Sequence, residues 1–189
     1  MQAGVRETLE YQRLKMMDTR SGNWFMRALA PLVVVAAAVL AAVPAQASQI
    51  EIKDFGFYDL SVDGSVPAPE DISGERNVVS NIRLQRQTDE IDAQLGRSFG
   101  LRFRIADPKL VGQTLTLRTI FPPLTNPKDK RTMTTQDRAF VASNTTELLY
   151  DGYRFDYDWE MAEGIWTYQI LHNGRVIAEK KFKVIITLN

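Results

Sequence analysis

The chain has 189 residues, with 23 basic side chains against 23 acidic ones, one histidine, no cysteine and 44% hydrophobic content. That composition belongs to an ordinary folded domain and excludes wholesale disorder and collagen-like repeats. Without thiols there is no disulfide framework, no Cys-ligated zinc or iron–sulfur cluster, no thiol nucleophile and no lipidation on an N-terminal cysteine. A lone histidine leaves little room for a Ser-His-Asp triad or a multi-His metal site.

In chain order, the first feature is an address. Ala28 to Val43 is apolar throughout, interrupted only by Pro31; Arg20 and Arg27 precede it, and Ala45-Gln46-Ala47 follows. A basic region, an apolar run and a small-residue cleavage site predict a secretory signal peptide over residues 1–47, cut between Ala47 and Ser48. An uncleaved anchor would need about 20 apolar residues to span the bilayer, and this run is shorter. The region ahead of it is long and contains Met16, Met17 and Met26 besides Met1, so residues 1–15 are expected to precede the true start. Removing 1–47 leaves 18 basic and 20 acidic residues, a net of −2, which gives no electrostatic footprint for nucleic acid. Membrane contact is expected only through the signal peptide. An Ala-rich export signal without cysteines suits a bacterial periplasm or secretion.

The expected mature domain, residues 48–189, reads as strands. Ile50, Ile52 and then Phe55 and Phe57 suggest a first strand with a phase slip near Asp54, the mark of a β-bulge. Ile82 and Leu84 fit a second; Thr88–Leu95 would make at most one helical turn. Leu101, Phe103 and Ile105 alternate with Arg102 and Arg104, and Leu115 and Leu117 alternate with threonines. Asp63-Gly64, Pro67-Ala68-Pro69, Asp107-Pro108, Pro122-Pro123, Asn126-Pro127 and Asp151-Gly152 carry turn chemistry. In Tyr153–Glu160 (YRFDYDWE), aromatic and charged residues alternate strictly, which predicts a strand with Tyr153, Phe155, Tyr157 and Trp159 inward.

A C-terminal hairpin follows. Trp166, Tyr168 and Ile170 share one face, and Val176, Ala178, Phe182, Val184 and Ile186 share another, with Lys180 as a polar break. Asn173-Gly174 first suggests a two-residue type I′ turn. Parity argues for a three-residue loop, His172-Asn173-Gly174, with Gly174 left-handed, because an even loop would put Trp166 and Phe182 on opposite faces. The sum is an all-β, immunoglobulin-like antiparallel β-sandwich of about seven or eight strands.

Four groups carry potential chemistry. Asp156, Asp158 and Glu160 would lie at about 6.5–7 Å intervals along one strand face; they would serve a hydrolase, but a flat face diverges and reads first as solvated. His172, in a turn, lacks a positioned partner. Arg97, Arg102 and Arg104 beside Phe99 and Phe103 are expected to pair with acidic residues across strands. Trp159 and Trp166 are expected in the core, with an aromatic binding platform as the alternative, and the stiff basic loop Phe121–Arg131 is a further candidate surface. No catalytic, cofactor or metal residue is assigned.

The segments Gln87-Thr88-Asp89-Glu90-Ile91 and Leu95-Gly96-Arg97-Ser98-Phe99-Gly100 resemble a bacterial family known as domain of unknown function 3859. So do Phe121-Pro122 with Asn126-Pro127, and Gly164-Ile165-Trp166-Thr167-Tyr168-Gln169-Ile170 with Phe182-Lys183-Val184. The resemblance spans roughly residues 50–186; it implies one secreted β domain and supplies no substrate. The expectation is an exported, non-enzymatic binding or interaction module whose partner is a protein or envelope component. The alternatives are a hydrolase using Asp156, Asp158 and Glu160, and a structural envelope protein.

Overall fold

The computed structural model describes residues 48–187; the expected signal peptide and Ala47 lie outside them, and Ser48 is the first described residue. Nine strands run in the order β1 (Ile50–Pro67), β2 (Glu75–Gln87), β3 (Glu90–Asp92), β4 (Ser98–Ile105), β5 (Thr114–Thr125), β6 (Thr132–Val141), β7 (Leu149–Arg154), β8 (Gly164–His172) and β9 (Arg175–Ile185). They form two sheets, β2-β1-β4-β7 and β3-β9-β8-β5-β6. All neighbours are antiparallel except β3 and β9. The count exceeds the expected seven or eight because Thr88–Leu95, read as a helical turn, supplies the three-residue β3. Ile91 is fully buried there and pairs with Val184, so tertiary pairing decides the conformation of a segment too short to declare its own period.

The core lies between the sheets. Leu101, Phe103 and Ile105 of β4 and Leu115 and Leu117 of β5 are buried as alternation requires. Phe99 is its aromatic centre: it stacks on Phe155 at 5.4 Å and meets Trp166, Tyr168 and Phe182 edge-on. These offset and T-shaped arrangements are the ones ring quadrupoles favour.

Bulges carry the alternation through changes of phase. Ile52 pairs with Phe103 but Asp54 with Arg102, so Lys53 is the extra residue, and the apolar set moves from Ile50 and Ile52 to Phe55 and Phe57 where the sequence slips. In β5, Ile120 faces Thr135 and Leu124 faces Met133. Phe121-Pro122-Pro123 therefore bulge against Thr134, and two prolines that cannot donate to the ladder sit where no ladder bond is needed. Asp63-Gly64 and Asp151-Gly152 likewise lie within strands rather than at turns.

The C-terminal hairpin corrects the expected loop. His172 pairs with Arg175, leaving the two-residue turn Asn173-Gly174 with φ of 51° and 75°, the type I′ signature. Parity is restored inside β9 instead. Ile170 pairs with Ala178 and Leu171 with Val176, so Ile177 is an extra residue and Trp166 stands opposite Phe182 on the inner face. Lys180, the polar break, stays in register opposite Tyr168, and its ammonium sits 3.3 Å from the centre of the Phe55 ring. Gly174→Ala places a Cβ in the left-handed region and should cost about 1 kcal/mol. A urea midpoint lowered at constant m would register it, whereas an unchanged midpoint would count against the I′ turn.

The alternating stretch is also corrected. β7 ends at Arg154, and Asp158–Glu160 form a 3₁₀ turn. Phe155 is fully buried, but Tyr157 is 41% exposed and Glu160 only 3%, the reverse of a continued period of two. The cause is local. The Glu160 carboxylate accepts from the Asp156 and Tyr157 amides at 2.8 and 3.0 Å and from the Tyr153 hydroxyl at 2.9 Å. The chain therefore coils around its own carboxylate and cannot run on as a strand.

Candidate functional site

Beyond Tyr58, β1 leaves β4 and pairs only with β2, so the distal parts of the two strands form an arm. Its tip docks on the β5–β6 connection. The Arg131 guanidinium donates to the carbonyls of Pro69 and Asp71 at 2.6 and 2.5 Å, and the Asn126 amide donates to Ile72 O at 3.0 Å. Ala68 and Ile72 are each 1% exposed beneath these bonds. Thus the segment Phe121–Arg131, expected as a surface loop, is corrected: Phe121–Thr125 belong to β5, with Phe121 and Leu124 buried, and the rest acts as a clasp.

The arm, the edge strands β6 and β7, and the turn after β7 enclose a polar cleft of about 160 Å³. Asp151 stands in it on β7, paired in register with Leu101. Gly100 makes this close approach feasible, since a Cβ there would meet the Asp151 carbonyl oxygen at 2.3 Å. From β6, Arg138 donates to one Asp151 oxygen at 3.1 Å. Along the arm, Arg76 grips Asp71 with two prongs at 2.9 and 2.8 Å. At the rim, Asp156 accepts from Arg154 at 2.8 Å and from Asn77 at 2.6 Å.

Burial pushes the Asp151 carboxyl up to about 6; Asp71 adds to the shift, while Arg138, Arg76 and the Gly152 amide oppose it. The sign follows from proton binding. Between the ordinary value of 3.8 and about 6 the folded protein holds more protons on this group than the unfolded chain, so its contribution to stability falls as pH rises through that window. Asp151→Asn removes the effect. Relative to wild type, the variant should gain on the order of 2–3 kcal/mol between pH 4 and pH 7.5. Denaturant midpoints at the two pH values measure it, and parallel profiles would contradict it.

The residues singled out from sequence fall in different places. Asp156 and Glu160 line the cleft, but both hold structure through the bonds given above, and Asp158 is exposed on the 3₁₀ turn. Burial raises the Glu160 carboxyl while its three donors hold it down. His172 ends β8 beside Asn173, at 3.2 Å. Arg102 makes the expected cross-strand pair, gripping Asp54 at 2.8 and 2.5 Å, and Arg97 bonds Asp92 at 2.9 Å. The Arg104 Nε is buried without a partner. Phe99 and Phe103 are core residues, so no base-stacking platform accompanies the arginines. Trp166 is core as expected, with its indole N–H donating to Ala162 O at 3.1 Å. Trp159, expected in the core, is only half-buried against it and stacks on the exposed Tyr157 at 5.6 Å, with Lys128 5.6 Å from the same tyrosine ring. Among the described residues no group of three or more His, Cys, Asp or Glu gathers as a metal site, and no helix is long and apolar enough to cross a membrane.

Sequence reading missed Asp71, Arg76, Arg138 and Asp151. For Asp151 the signal was present: the aromatic face of Tyr153 and Phe155, extended back two residues, arrives at a carboxylate on an inward position.

Two packed sheets of antiparallel strands, with the cleft at one open edge, define an immunoglobulin-like β-sandwich. The crystal structure of an immunoglobulin-like protein from Pseudomonas aeruginosa shares this fold, with a TM-score of 0.54 and 24% identity over 75% of this chain and 99% of that one. The chain belongs to the family described as domain of unknown function (DUF3859), whose model matches residues 49–184. Comparison with curated proteins gives no match.

Proposed function

We propose that the mature domain is an exported binding module, periplasmic or secreted, that engages a protein or envelope component through the cleft between β6, β7 and the arm. One observation carries this reading: the Asp151 carboxylate, with its side chain 14% exposed, stands in a cleft at the open edge of the sandwich, ion-paired there to Arg138. A carboxyl raised by burial in a cleft marks a candidate working site. The signal-like N-terminus supports export.

The hydrolase alternative has less support. Of its three carboxylates, Glu160 holds its own turn and Asp156 is doubly bonded at the rim, so neither is poised to move protons. The test is affinity capture from the envelope fraction of the source cells. It compares the wild-type protein with Ser73→Trp, which sets an indole into the cleft wall, and Asp158→Ala, which leaves the cleft untouched. A partner retained by wild type and Asp158→Ala but lost by a folded Ser73→Trp is the expected result. Equal retention by all three would refute the cleft.

A further inference from the structure

The arm is fastened to the sandwich at its two ends and buried nowhere between them. At its root, Tyr58 is 4% exposed, donates its hydroxyl to Asp54 at 2.6 Å and meets the Tyr150 ring edge-on at 5.1 Å. From Asp59 to Pro67, and along the whole of β2, no residue is buried. The next buried positions are Ala68, Asp71 and Ile72, at the tip. A two-stranded ribbon without a buried face is marginal by itself, so the arm stays down through what its tip does. The tip is a closed unit. The Ala68 amide donates to Gly74 O at 2.9 Å, the Gly74 amide to Asp71 O at 3.0 Å, and Arg76 grips both Asp71 and Glu70. Those bonds stay within the arm. Its hold on the sandwich comes from Arg131, which donates to the carbonyls of Pro69, Asp71 and Ile72, and from Asn126, which donates to Ile72 O. Two lesser bonds join them, from the Ile72 amide to Gln136 at 3.5 Å and from Asn77 to Asp156 at 2.6 Å. On the sandwich side the latch is braced, since the Asn126 amide donates to Arg131 O and the Lys130 amide to Asn126 O, both at 2.9 Å. The root is not. The β1–β2 register shifts between Phe57 and Tyr58 and again between Asp59 and Ser61, and opposite the second shift Asn81 has a φ of 52°. Bulges bend a strand and interrupt its ladder, which concentrates bending where β1 parts from β4.

Resting on the cleft as the binding surface, we propose that the arm is its lid: it lifts from the tip, pivots at the bulged root and admits the partner, with Arg131 as the latch. Size requires such a step. The closed cleft holds about 160 Å³, below the roughly 300–1,000 Å³ of sites that enclose even a small molecule. A segment of a protein does not fit beneath the arm while the tip is down. Lifting disturbs little, because the tip keeps its own bonds and only Ala68 and Ile72 lose apolar burial. Local openings of this kind lie well below global unfolding in free energy. Opening uncovers Thr119 of β5, 6% exposed in the closed form, together with Asp151.

The chain has no cysteine, so a single introduced thiol reports access without interference. Thr119→Cys places it in the cleft, and Leu115→Cys, at a fully buried position on the same strand, reports global unfolding. Each is labelled with N-ethylmaleimide at neutral pH, with and without Arg131→Ala, and followed by mass spectrometry. The expected result is that Arg131→Ala speeds labelling of Thr119→Cys about tenfold or more and leaves Leu115→Cys unchanged. No acceleration at Thr119→Cys, or the same acceleration at both positions, would overturn the lid. Hydrogen exchange gives a second reading without thiols. In Arg131→Ala the amides of Leu60–Val66 and Glu75–Ser80 should exchange faster while those of β8 do not, and a uniform change would count against a separate arm. If labelling does not respond while Ser73→Trp abolishes partner capture, the lid is wrong and the cleft stands. If labelling responds but Ser73→Trp captures normally, the cleft falls and the gating role with it.

Discussion

Replacing Trp166 by alanine is expected to destabilise the protein by about 3–5 kcal/mol, the range for truncating a fully buried large aromatic. Trp166 is 0% exposed and packs against the rings of Phe99, Phe121, Tyr153 and Phe155, with centroids 5.2 Å away for Phe121 and 4.9 Å for Tyr153. These partners come from β4, β5, β7 and the segment after it, so the indole ties both sheets together. A cavity there has little room to collapse, because each wall is itself a rigid ring. Tyr157→Ala is the matched control. It removes an aromatic that is 41% exposed and should cost well under half as much. Urea midpoints with unchanged m-values decide it; equal losses would mean that Tyr157 is buried and the alternating stretch is a strand after all.

Glu160→Ala should be the second large loss, about 3 kcal/mol. The carboxylate satisfies two backbone amides and the Tyr153 hydroxyl, and each donor orphaned in a buried place costs about 1–3 kcal/mol. The two amides are near the surface, where water recovers part of that cost, so the total is less than three full penalties. Glu160→Gln retains an acceptor and should lose roughly half as much. Asp158→Ala, two residues away on the exposed side of the same 3₁₀ turn, should change stability by less than about 0.5 kcal/mol. If Glu160→Ala were as mild as Asp158→Ala, the carboxylate would not be holding the turn and would be free for chemistry.

These contrasts locate where the sequence was legible. A period of two reports which residues share a face, and it identified the cores of β4, β5 and β8 and the slip in β1. It holds only between bulges. In β9 the sequence records the parity conflict between Trp166 and Phe182, but not whether the loop or the strand resolves it; the Asn-Gly pair is so well suited to type I′ geometry that the strand gives way at Ile177. In YRFDYDWE the alternation of residue types persists after the alternation of faces has ended. A carboxylate that accepts three hydrogen bonds is buried as firmly as an apolar side chain, and residue type alone does not reveal it. The fold class and family were thus readable from apolar spacing and motifs. The cleft was not, because it joins Asp71 and Arg76 on the arm to Arg138 and Asp151 on two edge strands. Nothing local in the sequence announces that an eighteen-residue strand parts from β4 midway and continues with β2 alone as an arm over an open edge.

Chemical-shift mapping of the isotopically labelled protein with its captured partner tests the central claim most directly. The cleft account predicts that the perturbed amides cluster at Asp71–Asn77, Gln136–Arg138 and Asp151–Arg154, with little change at Arg102 and Arg104 or along β9. Perturbations confined to those outer positions, with the cleft amides unmoved, would contradict it.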